Sequence, residues 1–225
     1  MTDYRIGPMP KQLPKDLVHK LEKVETATVG HSRHWGFMDR GIQPLLRNKR
    51  IAGTAVTLAI PGPDSTLLHH ALGLLRPGDI LVVDRLGDQR HACWGGGVTV
   101  GAKAAGAVAG IVDGPCTDQL EIEQSDFPMW CRGLAPITTR LYNLGGILNG
   151  LISCGGVPVQ PGDAILADES GVLVLPAGEA DAVAEAALAR QARGEQTQQR
   201  VAKGEMLGDL SGATKMVLDA LKAKQ

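Results

Sequence analysis

The stretch from Ile80 to Gly114, ILVVDRLGDQRHACWGGGVTVGAKAAGAVAGIVDG, decides the fold. It opens on ILVVD (Ile80 to Asp84), a short apolar run of the kind that forms a buried strand. A glycine cluster, Gly95 to Gly97, then opens a small-residue helix over VTVGAKAAG, and AGIVDG (Ala109 to Gly114) gives a second buried strand. Helices that alternate with buried strands in this way argue for α/β layering.

The pattern extends in both directions. Upstream, IAGTAVTLAI (Ile51 to Ile60) is a β-rich strand stopped by Pro61, Gly62 and Pro63, after which Asp64 or Ser65 caps a helix through Leu75. Leu17, Val18, Leu21 and Val24 recur at helical spacing, and Thr26 to Leu46 holds another short helix with its connection. Residues 1 to 15, with three prolines, form an arm. Downstream, PMWCRG (Pro128 to Gly133) is a third buried strand, followed by a glycine-rich connection from Ile137 to Gly150 with no assigned structure. VPVQPGDAILADESGVLVLP (157–176) then gives strand, Pro-Gly-Asp turn, strand, Ser-Gly turn and strand. An alanine-rich helix over Gly178 to Arg193 and a C-terminal one marked by Met216, Val217 and Leu221 complete the chain. The expectation is one mixed α/β domain over 1–225, with the arm at 1–15, the core at 16–176 and C-terminal helices at 177–225.

Composition narrows the function. Its 225 residues are enough to bury one substantial core. Twenty-three basic against 24 acidic residues give a net charge of -1, so no positive footprint draws the chain to nucleic acid or an anionic membrane. Seven aromatic side chains make base-stacking platforms unexpected. Cys93, Cys116, Cys131 and Cys154 form no C-x-x-C pair and are read as reduced, buried small hydrophobes. With no long apolar run and no signal-type N-terminus, a soluble cytoplasmic protein is expected.

Two places invite chemistry. Before the helix that begins in WGGGVTVGAKAAG, consecutive glycines let backbone N–H groups face a ligand without Cβ obstruction, and the helix start adds partial positive charge. Gly95, Gly96, Gly97 and Val98 thus form a candidate cradle for a carboxylate or phosphate, with tight helix-to-strand packing as the bland alternative. The spacing is that of neither a Walker loop nor a dinucleotide fingerprint. In AGIVDGPCTD, Asp113 and Asp118 bracket a turn at the carboxyl end of a buried strand, where ligands of open α/β sheets gather and a carboxylate can hold a hard cation. Asp118 equally suits the N-cap of the helix QLEIEQ. His31 with His34, and His69 with His70, lack a third ligand at a recognisable spacing and are expected to be solvated or capping. Lys103 is expected to be a solvent-facing helix lysine.

Three segments carry a family resemblance: STLLHHALGLLRPGDILVVD (65–84), CWGGGVTVGAKAAGAVAGIVDGPCTD (93–118) and CGGVPVQPGDAILADESGVLVLP (154–176). Together they resemble the RraA-like family, which includes the 4-hydroxy-4-methyl-2-oxoglutarate and 4-carboxy-4-hydroxy-2-oxoadipate aldolases and the regulator of ribonuclease activity A. The resemblance runs from about Ile51 to Pro176. It implies a swivelling β/β/α fold in an α-β-β-α sandwich, assembled as homotrimers or homohexamers with sites between subunits. The activity it implies is divalent-metal-dependent cleavage, with Mg²⁺ or Mn²⁺, of a 4-hydroxy-2-oxo diacid to pyruvate and a second keto acid, with oxaloacetate decarboxylation. The family motif, a glycine followed by an acid and then Arg-Asp twenty-two residues after the glycine, places its glycine on Gly95 and its metal-binding aspartate on Asp118.

Two positions depart from that motif. Gly96 stands where the family has Asp or Glu, and Thr117 stands where it has Arg, the catalytic position that contacts the substrate's keto oxygen. Losing a donor that stabilises developing negative charge costs on the order of 10²- to 10³-fold. Arg90, His91, Arg132 and Arg140 are the candidate cations to compensate from elsewhere, with Arg132 expected to be structural. The leading reading is a metal-dependent lyase on a 2-keto diacid, with Asp118 as metal ligand and Gly95 to Val98 as carboxylate cradle. The rival is a noncatalytic binding protein of the ribonuclease-regulator type.

Overall fold

The computed structural model describes residues 3–223. In chain order these form β1 (Tyr4–Ile6), α1 (Lys15–Leu21), α2 (Thr26–Gly30), β2 (Gln43–Pro44), β3 (Ile51–Ala59), α3 (Thr66–Leu72), β4 (Asp79–Asp84), α4 (Gly96–Ala104), β5 (Ala109–Val112), α5 (Gln119–Gln124) and β6 (Met129–Cys131). There follow β7 (Gly146–Leu148), β8 (Ile152–Cys154), β9 (Val157–Val159), β10 (Ala164–Asp168), β11 (Gly171–Leu175), α6 (Ala180–Ala202), α7 (Leu207–Ser211) and α8 (Ala213–Lys222). Two compact units divide the chain after Ala184.

The first unit is built on a mixed sheet in which β3, β4, β5 and β6 run parallel as neighbours. Antiparallel β10 and β7 pair with β3, and β11 closes the hairpin with β10. Alternation along β4 explains why it lies in the middle of the sheet. Leu81 and Val83 point into one apolar cluster with Leu67, Leu68 and Ala71 of α3 and Val98 and Ala102 of α4. Ile80 and Val82 point into a second cluster with Ile111, Ile152 and Val159. A strand buried on both faces needs a continuous apolar run, and ILVVD supplies it. Each such side chain contributes roughly 1.5–3 kcal/mol by leaving water. The fold is therefore the expected mixed α/β, with the α3–α4 layer on one face and the β8–β9 hairpin on the other.

The sequence expectations for β3, β4, β5, β6 and the β9–β10–β11 run match these spans to within a few residues. Four strands were not foreseen: β1, β2, β7 and β8. Tyr4–Ile6 pairs parallel with Gly146–Leu148, so part of the arm and part of the glycine-rich connection belong to the sheet edge. Helix α3 ends at Leu72, short of the expected Leu75. Residues 1 and 2 of the arm and 224 and 225 of the tail lie outside the described residues.

In the second unit, after Ala184, the remainder of α6 is followed by α7 and α8. Arg200 and Glu205 pair at 2.5 Å, and Lys215 pairs with Asp219 one turn along α8 at 2.5 Å. Among the described residues, no helix is long and apolar enough to cross a membrane.

Candidate active site

The candidate site follows from where β4 and β5 end. The chain leaving β4 runs through Arg85 to Trp94 before turning into α4, and the chain leaving β5 turns at Gly114 and Pro115 into Thr117 and Asp118. Both connections leave carboxyl ends of adjacent parallel strands, which is where open α/β sheets gather ligands. A cleft of about 260 Å³ opens there. Its lining brings together Gly95, Gly97, Val98, Thr117 and Asp118.

Gly95 is the N-cap of α4 in an extended conformation. A Cβ there would lie 2.8 Å from Thr117 Cγ2 and would collide with the Asp118 carboxylate, so glycine is what lets the two connections close on each other. Helix α4 begins at Gly96, within the glycine cluster. The Gly96 N–H donates to Asp118 Oδ2 at 3.0 Å. That amide is therefore taken, and the free donors at the helix start narrow to the N–H groups of Gly97 and Val98. Helix starts leave such amides unpaired by construction, and they carry the positive end of the helix dipole.

Asp118 sits at the N-cap position of α5, as the bland reading required, but its side chain does not cap that helix. With φ 54° and ψ 43° it adopts the left-handed conformation, which Asp tolerates better than most residues. The carboxylate is turned back toward α4, where Oδ2 meets Gly96 and Oδ1 accepts the Thr117 hydroxyl at 3.1 Å. This backbone conformation turns the carboxylate toward the cleft.

Glu121, which the sequence did not single out, lies beside this pair. A Cβ built on Gly96 would fall on the Glu121 carboxylate, 2.7 Å from its Cδ. The space that an acidic side chain at position 96 would occupy thus already holds an acidic group from α5. The available signal was spacing, because residues three apart on a helix share a face and Glu121 follows Asp118 by three.

The rest of the lining comes from α3 and from the strap between β6 and β7. Ser65, the N-cap of α3, and His69 within it line the cleft, as do Thr138, Thr139, Arg140 and Leu141 of the strap. His69 borders the cleft while remaining exposed, as expected of a solvated histidine. The buried Asp64 carboxylate fixes both parts. It accepts N–H bonds from Thr66 at 3.0 Å, Tyr142 at 2.9 Å and Leu144 at 2.8 Å, and the Thr66 hydroxyl at 2.6 Å. Burial works to raise the Asp64 carboxyl pKa, yet these hydrogen bonds together hold it below the usual carboxylate range.

The four candidate cations separate clearly. Arg132 is held by Asp113 at 2.5 Å and Asp39 at 2.7 Å, in keeping with the structural role expected of it. The His91 ring contacts Asp88 at 2.9 Å. Arg90 is exposed in the same turn and does not line the cleft. Arg140 does line it. Arg85, wholly buried, donates to the carbonyls of Gly62 and His91.

All four cysteines are free and buried. Cys93 borders the cleft, where burial pushes its thiol up to about 11, so it offers no thiolate near neutral pH. Lys103 donates to the Ser125 carbonyl at 2.5 Å and stands apart from the cleft lining.

Comparison with known proteins places this chain in a family. The sequence family described as RraA-like, Aldolase/RraA, matches residues 26–174. A protein of Halalkalibacterium halodurans named "Putative 4-hydroxy-4-methyl-2-oxoglutarate aldolase" is 34% identical over 165 residues, covering 73% of this chain and 78% of its own. A Deinococcus radiodurans protein of the same name is 34% identical over 139 residues, 60% of this chain and 85% of its own. Among solved structures, Streptomyces coelicolor RraAS2, described as an unusual member of the RNase ES inhibitor RraA family, superposes with a TM-score of 0.75 at 26% identity. That match covers 84% of this chain and 99% of RraAS2.

Proposed function

The chain belongs to the RraA-like family, and on that footing we propose that it is a divalent-metal-dependent lyase cleaving a 4-hydroxy-2-oxo diacid to pyruvate and a second keto acid, with oxaloacetate decarboxylation as a related activity. The observation that carries this reading is the convergence of two features in one cleft. The unpaired amides at Gly97 and Val98 suit a carboxylate, and Asp118 suits a hard cation beside it. Relatives named as aldolases support a lyase.

The donor set fits Mg²⁺ or Mn²⁺. Among the described residues no group of three His, Cys, Asp or Glu side chains gathers as a full protein cage. Magnesium does not need one, since it commonly takes one or two carboxylates and completes its shell with water and substrate oxygens. Asp118 would hold the ion, with Glu121 arranging its water. When bound, the cation supplies charge stabilisation at the keto oxygen.

The chain's own groups do the rest. Amides at Gly97 and Val98 bind the substrate carboxylate, and the Gly96 amide holds the Asp118 carboxylate in place. Cleavage passes the 4-hydroxyl proton to water in the cleft, forms the C4=O bond of the second keto acid and breaks the C3–C4 bond. The electron pair of that bond passes to the pyruvate enolate, which takes a proton at C3 from water in the cleft. Assembly as a homotrimer or homohexamer goes with this proposal and is checked by light scattering.

A noncatalytic regulator is the second reading, favoured by Thr117 at the arginine position and by the likeness to RraAS2. Pyruvate release from oxaloacetate and from 4-hydroxy-4-methyl-2-oxoglutarate, measured with Mg²⁺ and with chelator, decides between them. Chelator-sensitive release supports the lyase, and no release above background with either substrate ends it.

A further inference from the structure

Building on the lyase reading, we propose that Arg140 takes the place of the arginine missing at position 117, binding the negative charge of a 2-keto acid in the cleft that both positions line. Thr117 cannot supply that charge, and its hydroxyl is already donated to Asp118 Oδ1 at 3.1 Å. The amides at the start of α4 offer only partial charge, whereas a dicarboxylate brings two full negative charges. A second, whole cation is needed, and the planar guanidinium fork matches a carboxylate or keto-acid edge in a way no amide pair does.

Arg140 is the arginine that lines the cleft. It is also held there from both sides. Its N–H donates to Pro63 O at 2.9 Å, and its carbonyl accepts the Ser65 N–H at 3.0 Å. The preceding residue, Thr139, donates to Ala92 O at 3.2 Å. Two and four residues further on, the strap is tied to the buried Asp64 carboxylate through Tyr142 and Leu144. These bonds fix the Arg140 backbone at the edge of the cleft, and its exposed side chain is left to meet a ligand there. In contrast with Arg132, which is neutralised by Asp113 and Asp39, no carboxylate pairs with the Arg140 guanidinium among the described residues. Its charge remains available to a ligand.

The test uses four full-length proteins besides the wild type: Arg140→Ala, Arg140→Lys, Thr117→Arg and the double variant Arg140→Ala/Thr117→Arg. Oxalate, a planar mimic of the pyruvate enolate, serves as the binding probe in calorimetry with Mg²⁺ present, and turnover of oxaloacetate is the second readout. Arg140→Ala is expected to weaken oxalate at least about tenfold and to lower kcat/KM by about 10²-fold, the scale of one lost charge-stabilising donor. Lys should recover part of the loss. Thr117→Arg should restore binding in the Arg140→Ala background, because the two positions serve one role. Oxalate binding by Arg140→Ala within twofold of the wild type overturns the proposal, as does failure of the wild type to bind oxalate. Arginine-dependent oxalate binding without turnover sustains Arg140 while ending the lyase reading, and turnover indifferent to Arg140 does the reverse.

Discussion

The Asp118 carboxylate accepts the N–H of Gly96 at 3.0 Å, joining the turn after β5 to the first turn of α4. That bond does two things at once: it satisfies one of the unpaired amides of the helix start, and it fixes one carboxylate oxygen so that the group faces the cleft. Replacing Asp118 with Asn keeps an acceptor oxygen for Gly96 and tolerates the left-handed backbone, but removes the charge. Asp118→Asn is expected to fold with a melting temperature close to the wild type and to lose at least about 10²-fold in kcat/KM, as expected where a metal-holding charge is removed. Retention of metal-dependent activity in this variant would remove Asp118 from the site.

Glu121 changes what the departure at Gly96 means. Because a Cβ on Gly96 would lie on the Glu121 carboxylate, restoring the family acid by Gly96→Asp alone should crowd two carboxylates into one space. We expect that variant to be less stable by about 1 kcal/mol, the low end for overpacking, and to be no more active. In Gly96→Asp/Glu121→Ala the clash is gone and one acid is again present, so stability and activity should both return toward the wild type. Additive losses in the double variant, read by thermal melts and pyruvate release, would show that the two positions do not share a role.

How far the sequence revealed this arrangement depended on the range of the interactions involved. The β4–α4–β5 unit was legible because an apolar run, a glycine cap and a second apolar run are local signals, and the burial of β4 on both faces bears them out. The β10–β11 hairpin was legible from Pro-Gly-Asp and Ser-Gly for the same reason. Tyr4–Ile6 was not, since its strand character comes from a partner at Gly146–Leu148, far away in sequence, and two of its three residues stay exposed. At the site, Gly95 and Asp118 could be matched to a motif by counting residues. The capture of the Gly96 amide by Asp118, and the placing of Arg140 by Asp64, depend on loops that meet only after folding.

The cysteines offer a check on the core. Burial raises the thiols of Cys116 and Cys154 well above the ordinary range and that of Cys93 to about 11. Cys131 is held low by a hydrogen bond with Cys116, against its own burial, but is only 1% exposed. Iodoacetamide at neutral pH should therefore leave the native protein unmodified over an hour, while the unfolded chain takes four labels. Rapid labelling of Cys93 in the native protein, seen by mass spectrometry, would contradict its burial at the edge of the cleft.

Asp64 is the residue on which the strap depends. Removing its carboxylate in Asp64→Ala leaves the N–H groups of Tyr142, Leu144 and Thr66 without the acceptor they share. Each of these part-buried hydrogen bonds is worth about 0.5–1.5 kcal/mol, and a loss of about 2–3 kcal/mol in denaturant melts is expected for the set. Asp64→Asn, which retains one acceptor oxygen, should lose less. The pH dependence follows from the direction of the carboxyl shift. Its folded pKa lies below the unfolded value of about 3.9, so its contribution is fully present above that value and is lost as pH falls through the lower, folded pKa. Between pH 5 and 8 the wild type should show no stability change traceable to Asp64, and below about pH 4 its stability should fall more steeply than that of Asp64→Asn. Parallel acid melts of the two proteins would show instead that the carboxylate charge does not hold the strap.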